Sequence, residues 1–257
     1  MSASAHLAVA RIAARQAVVS RTEVLGRLVF YGVLLLVFSQ LWRVVPFGSS
    51  DPRAPVWYIA VTEWVLLSIP MVHLDLERDF ASGEVAYFLP QPVSYVSLKV
   101  AEGMGQFVVR LAIIGAFGLP AKYLFAGGLP ADPRGLPFAI PLALLAGALG
   151  VVAQTTIGVL SIWLTDVAPV YWIWQKCCFF FGGLVLPLDV YPGWVRAFAR
   201  FTPFSALLYG PGRTALGFSP DALVESAVLL AVWTGIALAC LKVVVTRGLR
   251  ILDVNGG

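Results

Sequence analysis

Long runs of apolar residues alternate with short polar segments along most of the chain. Six runs are long, and each has aromatic or charged residues at its flanks. One α-helix needs roughly 20 mostly apolar residues to cross the hydrocarbon core of a bilayer. The pattern therefore predicts an all-α membrane protein with six transmembrane helices. The predicted spans are residues 25–45, 56–74, 98–119, 137–164, 170–188 and 223–244.

Residues 1–24 precede the first apolar run and are rich in alanine, which favours helix. Arg11, Arg15 and Thr22 fall on one stripe at helical spacing. We expect an interfacial helix that lies along the inner membrane surface. A simple positively charged flank of the first span is the alternative. Since no small-residue cleavage pattern follows the first run, we expect that run to be kept in the mature protein.

A cluster of acidic residues follows the second predicted span, within residues 75–94. Four of the chain's 14 acidic residues fall in this short stretch, namely Asp75, Glu77, Asp79 and Glu84. Ser82 and Gly83 interrupt the helical pattern, and Pro90 and Pro92 end it, so two short helical pieces with a bend are predicted. The apolar side chains of Tyr87 and Phe88 stand beside the charges. We therefore expect contact with a partner outside the membrane; a solvated acidic loop is the alternative.

Residues 189–220, between the fifth and sixth spans, contain no run long enough to cross a bilayer. Trp194 and Phe198 follow a 3.6-residue period after Pro192, while Arg196 and Arg200 fall on the opposite side. A second short helix is expected after Pro203. Two helices too short to span are predicted to form a re-entrant or outer-surface pair, with Trp194 and Phe198 facing the spans.

Composition supports the membrane assignment and excludes several other classes. The 257 residues are 59% hydrophobic and only 12% charged, with a mean hydropathy of +0.85. These values are typical of polytopic membrane proteins. The net charge of +4 is dispersed along the chain, so we expect no nucleic acid partner. Cys177, Cys178 and Cys240 lie in predicted spans without metal-ligand spacing, and no metal site is expected.

An even number of spans places both termini on one side of the membrane. Lys and Arg are slightly more frequent on the segments that lie inside if the N-terminus is inside. We therefore expect a multi-pass protein of the cytoplasmic (inner) membrane with both termini cytoplasmic.

Two charged residues lie deep inside neighbouring predicted spans. Glu63 is seven residues from the outer start of the second span, and Arg110 is nine residues from the outer end of the third. At a rise of 1.5 Å per residue, these depths are about 11 and 14 Å. Because charged groups in a membrane are normally paired or hydrated, the sequence predicts a Glu63–Arg110 ion pair. Separate hydrated positions for the two side chains are the alternative.

The sequence shows little chemistry of an enzyme. An intramembrane serine protease needs a Ser nucleophile and a His base, but only His6 and His73 occur, and neither is in the sixth span. A secondary transporter or channel driven by an ion gradient fits better, because Glu63, Glu102, Arg110 and Lys176 lie in or near spans. No internal repeat supports that alternative, which nevertheless stays open.

Three stretches carry a resemblance to a known family. The first is RDFASGEVAYFLPQPVSY, the second FFGGLVLPLDVYPGWVRAFARFTPFSALLYGPGRTALG, and the third the basic tail TRGLRILDVNGG. In the first, the matching residues are Asp79, Ser82, Gly83, Ala86, Tyr87, Phe88, Leu89, Pro92, Ser94 and Tyr95. In the second, Pro187 ends a Gly-x-x-x-Pro pattern, and Pro192 and Pro203 precede the aromatic residues. The chain thereby resembles the permeases of type 2 ATP-binding cassette (ABC) exporters, although Gln91 stands where the family commonly has Arg.

The resemblance implies one transmembrane permease domain over residues 1–257. It implies two such permeases, identical or sister chains, above two cytoplasmic ATPase subunits. The segment 75–94 would then be a coupling helix that docks on an ATPase, and its contact residues would be Asp75, Glu77, Asp79, Ser82, Gly83, Glu84, Tyr87 and Phe88. No G-x-x-x-x-G-K-[ST] motif occurs, so ATP and magnesium are expected on the separate ATPase, with no cofactor on this chain. The transported substrate is left open.

Overall fold

A computed structural model describes residues 3–44, 51–87 and 94–255 of the chain. Within these ranges the secondary structure is helical, without β-strands. The α-helices are α1 Ala3–Val19, α2 Arg21–Val44, α3 Ala54–Ser68, α4 Val72–Ala81, α5 Tyr95–Ala126, α6 Leu136–Val159, α7 Ala168–Phe181, α8 Gly193–Ala199, α9 Pro203–Leu207, α10 Tyr209–Leu216 and α11 Pro220–Asn255.

Five helical stretches of the described chain are long and apolar enough to cross a membrane. They are Thr22–Trp42, Ala54–Ala81, Tyr95–Ala126, Pro133–Ile162 and Pro220–Gly248. These stretches coincide with predicted spans one to four and six. The protein is therefore an all-helical, multi-pass membrane protein, as the apolar pattern predicts.

The fifth predicted span, residues 170–188, does not form one continuous helix. Helix α7 has 14 residues and is about 21 Å long at 1.5 Å per residue, short of a hydrocarbon core of about 30 Å. It ends at Phe181, Gly182 caps it, and Gly183 then adopts a positive φ of 66°. A helix cannot continue through such a conformation, so the rest of the apolar run is irregular chain.

Loop contacts define two ends of the helical bundle. At the first, the Asp51 end, the carboxylate of Asp51 accepts a hydrogen bond from the Ala131 amide at 2.8 Å. There, too, the carboxylate of Asp132 accepts one from the Phe218 amide at 3.2 Å. At the opposite Glu77 end, a Glu77 carboxylate oxygen accepts from the Val167 amide at 3.3 Å.

The chain passes from the Glu77 end toward the Asp51 end between residues 167 and 188. Helix α7 begins beside Glu77. After its end, the carbonyl of Gly183 accepts a hydrogen bond from the Tyr58 hydroxyl at 2.5 Å, and the carbonyl of Leu184 accepts one from Thr62 at 3.0 Å. Tyr58 is the fifth residue of α3, near the Asp51 end, and Thr62 lies about one turn further along the helix. Helix α7 and the irregular segment after it together cover the distance between the two ends of the bundle.

Helix α3 lies at the centre of the bundle. Eleven of its 15 residues are buried and none is exposed, and it packs against α2, α5 and α10. The main core joins Val65 of α3 to Phe107 of α5, Leu142 of α6 and Leu230 of α11. In a bilayer the lipid is as apolar as these side chains, so close packing rather than escape from water stabilises this contact region.

The N-terminal segment is helical, as predicted, and α1 packs along the first half of α5. Ala13 and Ala17 are buried, and the His6 ring lies 3.0 Å from the Ser97 hydroxyl. The two helices cross so closely that a Cβ on Gly105 would lie 2.1 Å from the Ala10 carbonyl oxygen. A glycine is therefore required at this crossing. The location of α1 along the membrane surface remains a prediction.

Candidate functional site

Asp79 is the most enclosed residue of the acidic segment. Its side chain accepts a hydrogen bond from the Tyr95 hydroxyl and lies 2.9 Å from the Lys99 ammonium group. Only 4% of Asp79 is exposed. The residue was expected to contact a partner, but in the structure it connects α4 to the first turns of α5. Sequence reasoning missed this role because acidic residues in one cluster look alike.

The other charged residues of α4 have different surroundings. Asp75 and Arg78 form a surface ion pair at 3.1 Å. Glu77 accepts from the Val167 amide, just before α7 begins. Glu77 therefore satisfies a backbone donor that the first turn of a helix leaves without an intrahelical partner. Asp75 remains available at the surface, whereas Glu77 connects α4 to α7.

The bend after α4 is the exposed part of the segment. Gly83 has a positive φ of 76°, which favours glycine, and Ser82, Gly83 and Glu84 are exposed. A short 3₁₀ helix, Glu84–Tyr87, follows, and Tyr87 is 78% exposed. The predicted bend and two helical pieces are therefore present. Phe88 and the prolines of the motif lie outside the described residues.

Helix α4 also contacts α6 and α7 through His73. The His73 ring stacks on the Tyr171 ring with centroids 4.1 Å apart, and its Nδ1 is hydrogen-bonded to the Gln154 side chain. His73 is buried. No sequence pattern pointed to this contact, since the three residues are far apart along the chain. Through it, any movement of α4 would act directly on α7.

The predicted Glu63–Arg110 ion pair is wrong. Arg110 Nη2 lies 2.7 Å from Glu23 Oε1. Helix α5 continues through Pro120 to Ala126, so Arg110 is 16 residues from the end of the helix, a depth of about 24 Å. Glu63 is nine residues from the start of α3, a depth of about 14 Å. These depths differ from the predicted ones, and Glu23 rather than Glu63 is the acidic group that pairs with Arg110.

Glu63 instead borders a cavity of about 350 Å³. Residues of α2, α3, α6 and α7 line it. Glu63 is 6% exposed, and among the described residues it has no hydrogen-bond or ion-pair partner. The cavity also contacts Gln154 and Tyr171, the two residues that hold His73 of α4.

Residues 189–220, at the Asp51 end of the bundle, contain three short helices, α8, α9 and α10, where two were predicted. Helix α8 begins after Pro192, and α9 begins at Pro203, where the Thr202 hydroxyl caps the helix by accepting from the Ser205 amide at 3.4 Å. Pro187 precedes a short 3₁₀ helix, Leu188–Val190. Proline thus stands at or just before the start of α8, α9 and the 3₁₀ helix, consistent with its fixed φ, whereas α10 begins at Tyr209 without one.

The apolar face of α8 points away from the spans, contrary to the prediction. Trp194 is 79% exposed and Phe198 is 61% exposed, whereas Ala199 is buried. A small residue allows α8 to approach its neighbours closely. Phe198 retains one edge-on contact, with Phe181 at a centroid distance of 5.3 Å. The large apolar side chains of α8 are thus available to lipid or to another chain.

Two polar contacts fix the segment at the Asp51 end. Arg200, the residue directly after α8, forms a two-pronged ion pair with Glu225 of α11, with N–O distances of 2.9 and 2.8 Å. The Tyr209 hydroxyl donates a hydrogen bond to Asp189 at 2.8 Å. Burial and this bond to Asp189 raise the pKa of Tyr209, so Tyr209 stays neutral. Both contacts attach α8 and the 3₁₀ turn to the bundle.

Taken together, these features define a multi-pass helical membrane protein with a charged segment at one end, an internal cavity and short helices at the other end. Among the described residues no group of His, Cys, Asp and Glu could hold a metal ion.

The comparisons with known proteins specify the class further. No family model matches the chain. Two proteins named "Probable doxorubicin resistance ABC transporter permease protein DrrC", from the CDC 1551 / Oshkosh and ATCC 25618 / H37Rv strains of Mycobacterium tuberculosis, are each 26% identical to it over 218 residues. The similarity covers 83% of this chain and 75% of each relative. The predicted resemblance to ABC transporter permeases is therefore confirmed.

Proposed function

We propose that this chain is the permease subunit of an ABC exporter, which forms the substrate path and is driven by a separate ATPase. The observation that carries the proposal is the similarity to ABC transporter permeases over 83% of the chain. The helical fold with five long apolar stretches agrees with it. Such a subunit is not an enzyme, and ATP and magnesium would bind to the partner ATPase.

The proposed topology has six crossings, with α7 and the chain that follows it forming the fifth. The hydrogen bonds of Glu77 at one end and of Tyr58 at the other support a passage between the two ends. Both termini would then be cytoplasmic, in the inner membrane. Helix α1 would lie at the inner surface, and residues 189–220 would form the outer re-entrant helices.

The acidic segment is the proposed contact with the ATPase. Asp75, Glu84 and Tyr87 offer charge and an aromatic ring at the surface, while Asp79 and Lys99 hold the segment on α5. Movement of the ATPase pair would move α4. The His73–Tyr171 stack and the Glu77–Val167 hydrogen bond would pass this movement to α7, which forms one wall of the cavity.

Two ATPase subunits and a second permease, either a copy or a sister chain, would complete the transporter. The exposed apolar side chains of α2, α8 and α11 offer surfaces to the second permease and to lipid. The relatives are named for doxorubicin resistance. We therefore propose export of a small, largely apolar compound.

Purification from native membranes tests this function. An affinity-tagged chain, extracted in mild detergent, should bring down a polypeptide with a P-loop motif in stoichiometric amount, and the complex should hydrolyse ATP. A secondary transporter or channel would bring down no ATPase and would respond to an ion gradient. Isolation of a functional transporter without any ATPase would overturn the proposal.

A further inference from the structure

Glu63 carries a carboxyl group that no described protein group neutralises. It is 6% exposed and has no hydrogen-bond or ion-pair partner among the described residues. Arg110 is engaged with Glu23. Arg27, which lines the same cavity, donates to Glu23 and to the Leu67 carbonyl. An acidic group in the membrane interior is costly without a counter-charge, so its presence calls for a function.

The cavity beside Glu63 has the size and walls of a ligand site. Its volume of about 350 Å³ lies at the lower end of the range of roughly 300–1,000 Å³ for small-molecule pockets. Aromatic side chains from two helices line it, namely Phe30 and Phe38 of α2 and Trp174 and Phe179 of α7, and Glu63 of α3 borders the same space.

This combination of groups selects one ligand chemistry. Aromatic faces attract cations through their electron-rich surface and also stack on flat apolar bodies. A carboxylate in the same space adds a full opposite charge in a low-dielectric environment, where its attraction is strong. An anion would face repulsion from Glu63. The amide of Gln175 can provide an additional hydrogen bond.

We propose that this cavity binds an organic cation with an aromatic body, with Glu63 as its counter-charge. The inference rests on the proposed function, since it identifies the charge of the transported compound. The position of the cavity agrees with such a role. Tyr171 forms part of its wall and stacks on His73 of α4, so the site and the acidic segment share one contact.

Two ions of equal shape and opposite charge test the site. Tetraphenylphosphonium is a cation with four phenyl rings, and tetraphenylborate is the matching anion. Each is titrated against the full chain in lipid nanodiscs, with binding to empty nanodiscs subtracted. The cation should bind saturably to the wild-type protein and the anion should not. Glu63→Gln should weaken binding of the cation at least about tenfold, whereas Asp221→Asn, an exposed acid-to-amide change far along the chain, should have no effect.

Equal affinity of the cation for wild-type protein and for Glu63→Gln would overturn the inference. If that variant does not fold, the affinities of the cation and the anion for the wild-type protein decide the question. Equal binding of both ions would show that charge does not determine binding and would overturn the inference. The proposed function fails separately. If the chain binds the cation through Glu63 but purifies without an ATPase, the proposed site is supported and the proposed function is wrong. If the chain purifies with an ATPase but binds no cation, the proposed function is supported and the proposed site is wrong.

Discussion

At the scale of single residues, the side chain of Asp79 stabilises the acidic segment from within. Its contacts with Tyr95 and Lys99 connect the end of α4 to the start of α5 across the bend. A carboxylate that accepts from both a hydroxyl and an ammonium group is fixed in one position. The exposed residues of the bend are thereby presented in a defined orientation.

Replacement of Asp79 with Asn should destabilise the folded protein substantially. The Lys99 side chain is 16% exposed and keeps Glu102 at 3.4 Å as a second partner, so loss of the charged hydrogen bonds of Asp79 should cost about 1.5–3 kcal/mol. The additional change Lys99→Met should restore part of the loss. Asp75→Asn removes only the surface pair with Arg78, which is worth less than about 1 kcal/mol. Thermal unfolding of the purified variants measures all four proteins, and equal effects of Asp79→Asn and Asp75→Asn would contradict this role.

Double-mutant cycles distinguish the two possible partners of Arg110. Arg110→Gln and Glu23→Gln should be coupled by roughly 0.5–3 kcal/mol, because the two side chains are in contact. Arg110→Gln and Glu63→Gln should be additive within about 0.5 kcal/mol, as expected for residues that do not touch. The free energy of unfolding in detergent supplies both cycles. Strong coupling to Glu63 would restore the ion pair that the sequence predicts.

The error about Arg110 shows what a single sequence can supply for a site. The apolar pattern correctly places Glu63 and Arg110 inside helices. It cannot show that α5 passes through Pro120 and extends to Ala126, which changes the depth of Arg110. Glu23 lies before the predicted first span and was not considered as a partner. The cavity beside Glu63 depends on four helices and has no signal in the sequence.

At the scale of elements, the end of α7 determines how the chain completes its fifth passage. Gly183 has a positive φ, and its carbonyl is bound by Tyr58 of α3. A side chain at this position would strain the backbone, and its Cβ would lie 3.0 Å from the Tyr58 hydroxyl. This glycine therefore determines where the chain leaves the helix and meets α3.

Substitution of Gly183 with Ala should lower the stability by about 1–2 kcal/mol, the usual penalty of a left-handed conformation for an L-residue. Gly193→Ala is the matched control, since Gly193 has no positive φ and open space surrounds its Cβ position. That control should be neutral or slightly stabilising. Thermal unfolding of the two variants provides the comparison, and equal tolerance at both positions would show that the turn is not fixed.

Sequence patterns predicted where helices occur more accurately than which side of each helix is buried. The 3.6-residue period in α8 is real, but the buried residue is Ala199 rather than Trp194 or Phe198. In water, the apolar face of a short helix packs inward, and the prediction applied that rule. In a membrane protein the surroundings are apolar too, so large side chains can face outward while small ones make the helix contacts.

At the scale of the whole molecule, composition and long apolar runs were sufficient for the class of protein. Five long helices follow from them, whereas the bend after α4 and the resemblance to ABC permeases follow from short motifs such as the one around Ser82 and Gly83. The arrangement of the helices follows from neither, because contacts such as Trp57 to Gly128 and Tyr58 to Gly183 join residues 71 and 125 positions apart. Hydropathy indicates that each of these helices lies in the membrane, but it does not indicate which other helices each one contacts.

The proposed topology predicts opposite sides for the two ends of the bundle. In a chain without its native cysteines, Arg196→Cys on the exposed surface of α8 should react with a membrane-impermeant thiol reagent added to intact cells. Glu84→Cys, in the bend after α4, should react only after the cytoplasmic face is opened. Labelling in the reverse order would invert the topology.

Photocrosslinking at Tyr87 tests the central claim most directly. A photoreactive phenylalanine analogue replaces Tyr87, which is 78% exposed at the Glu77 end, or Trp194, which is 79% exposed on α8. On illumination of cells, the analogue at position 87 should form a covalent product with a polypeptide that contains a P-loop, as identified by mass spectrometry. The analogue at position 194 should not. Absence of the product at position 87, or equal yields at both positions, would contradict an ATPase bound to the acidic segment.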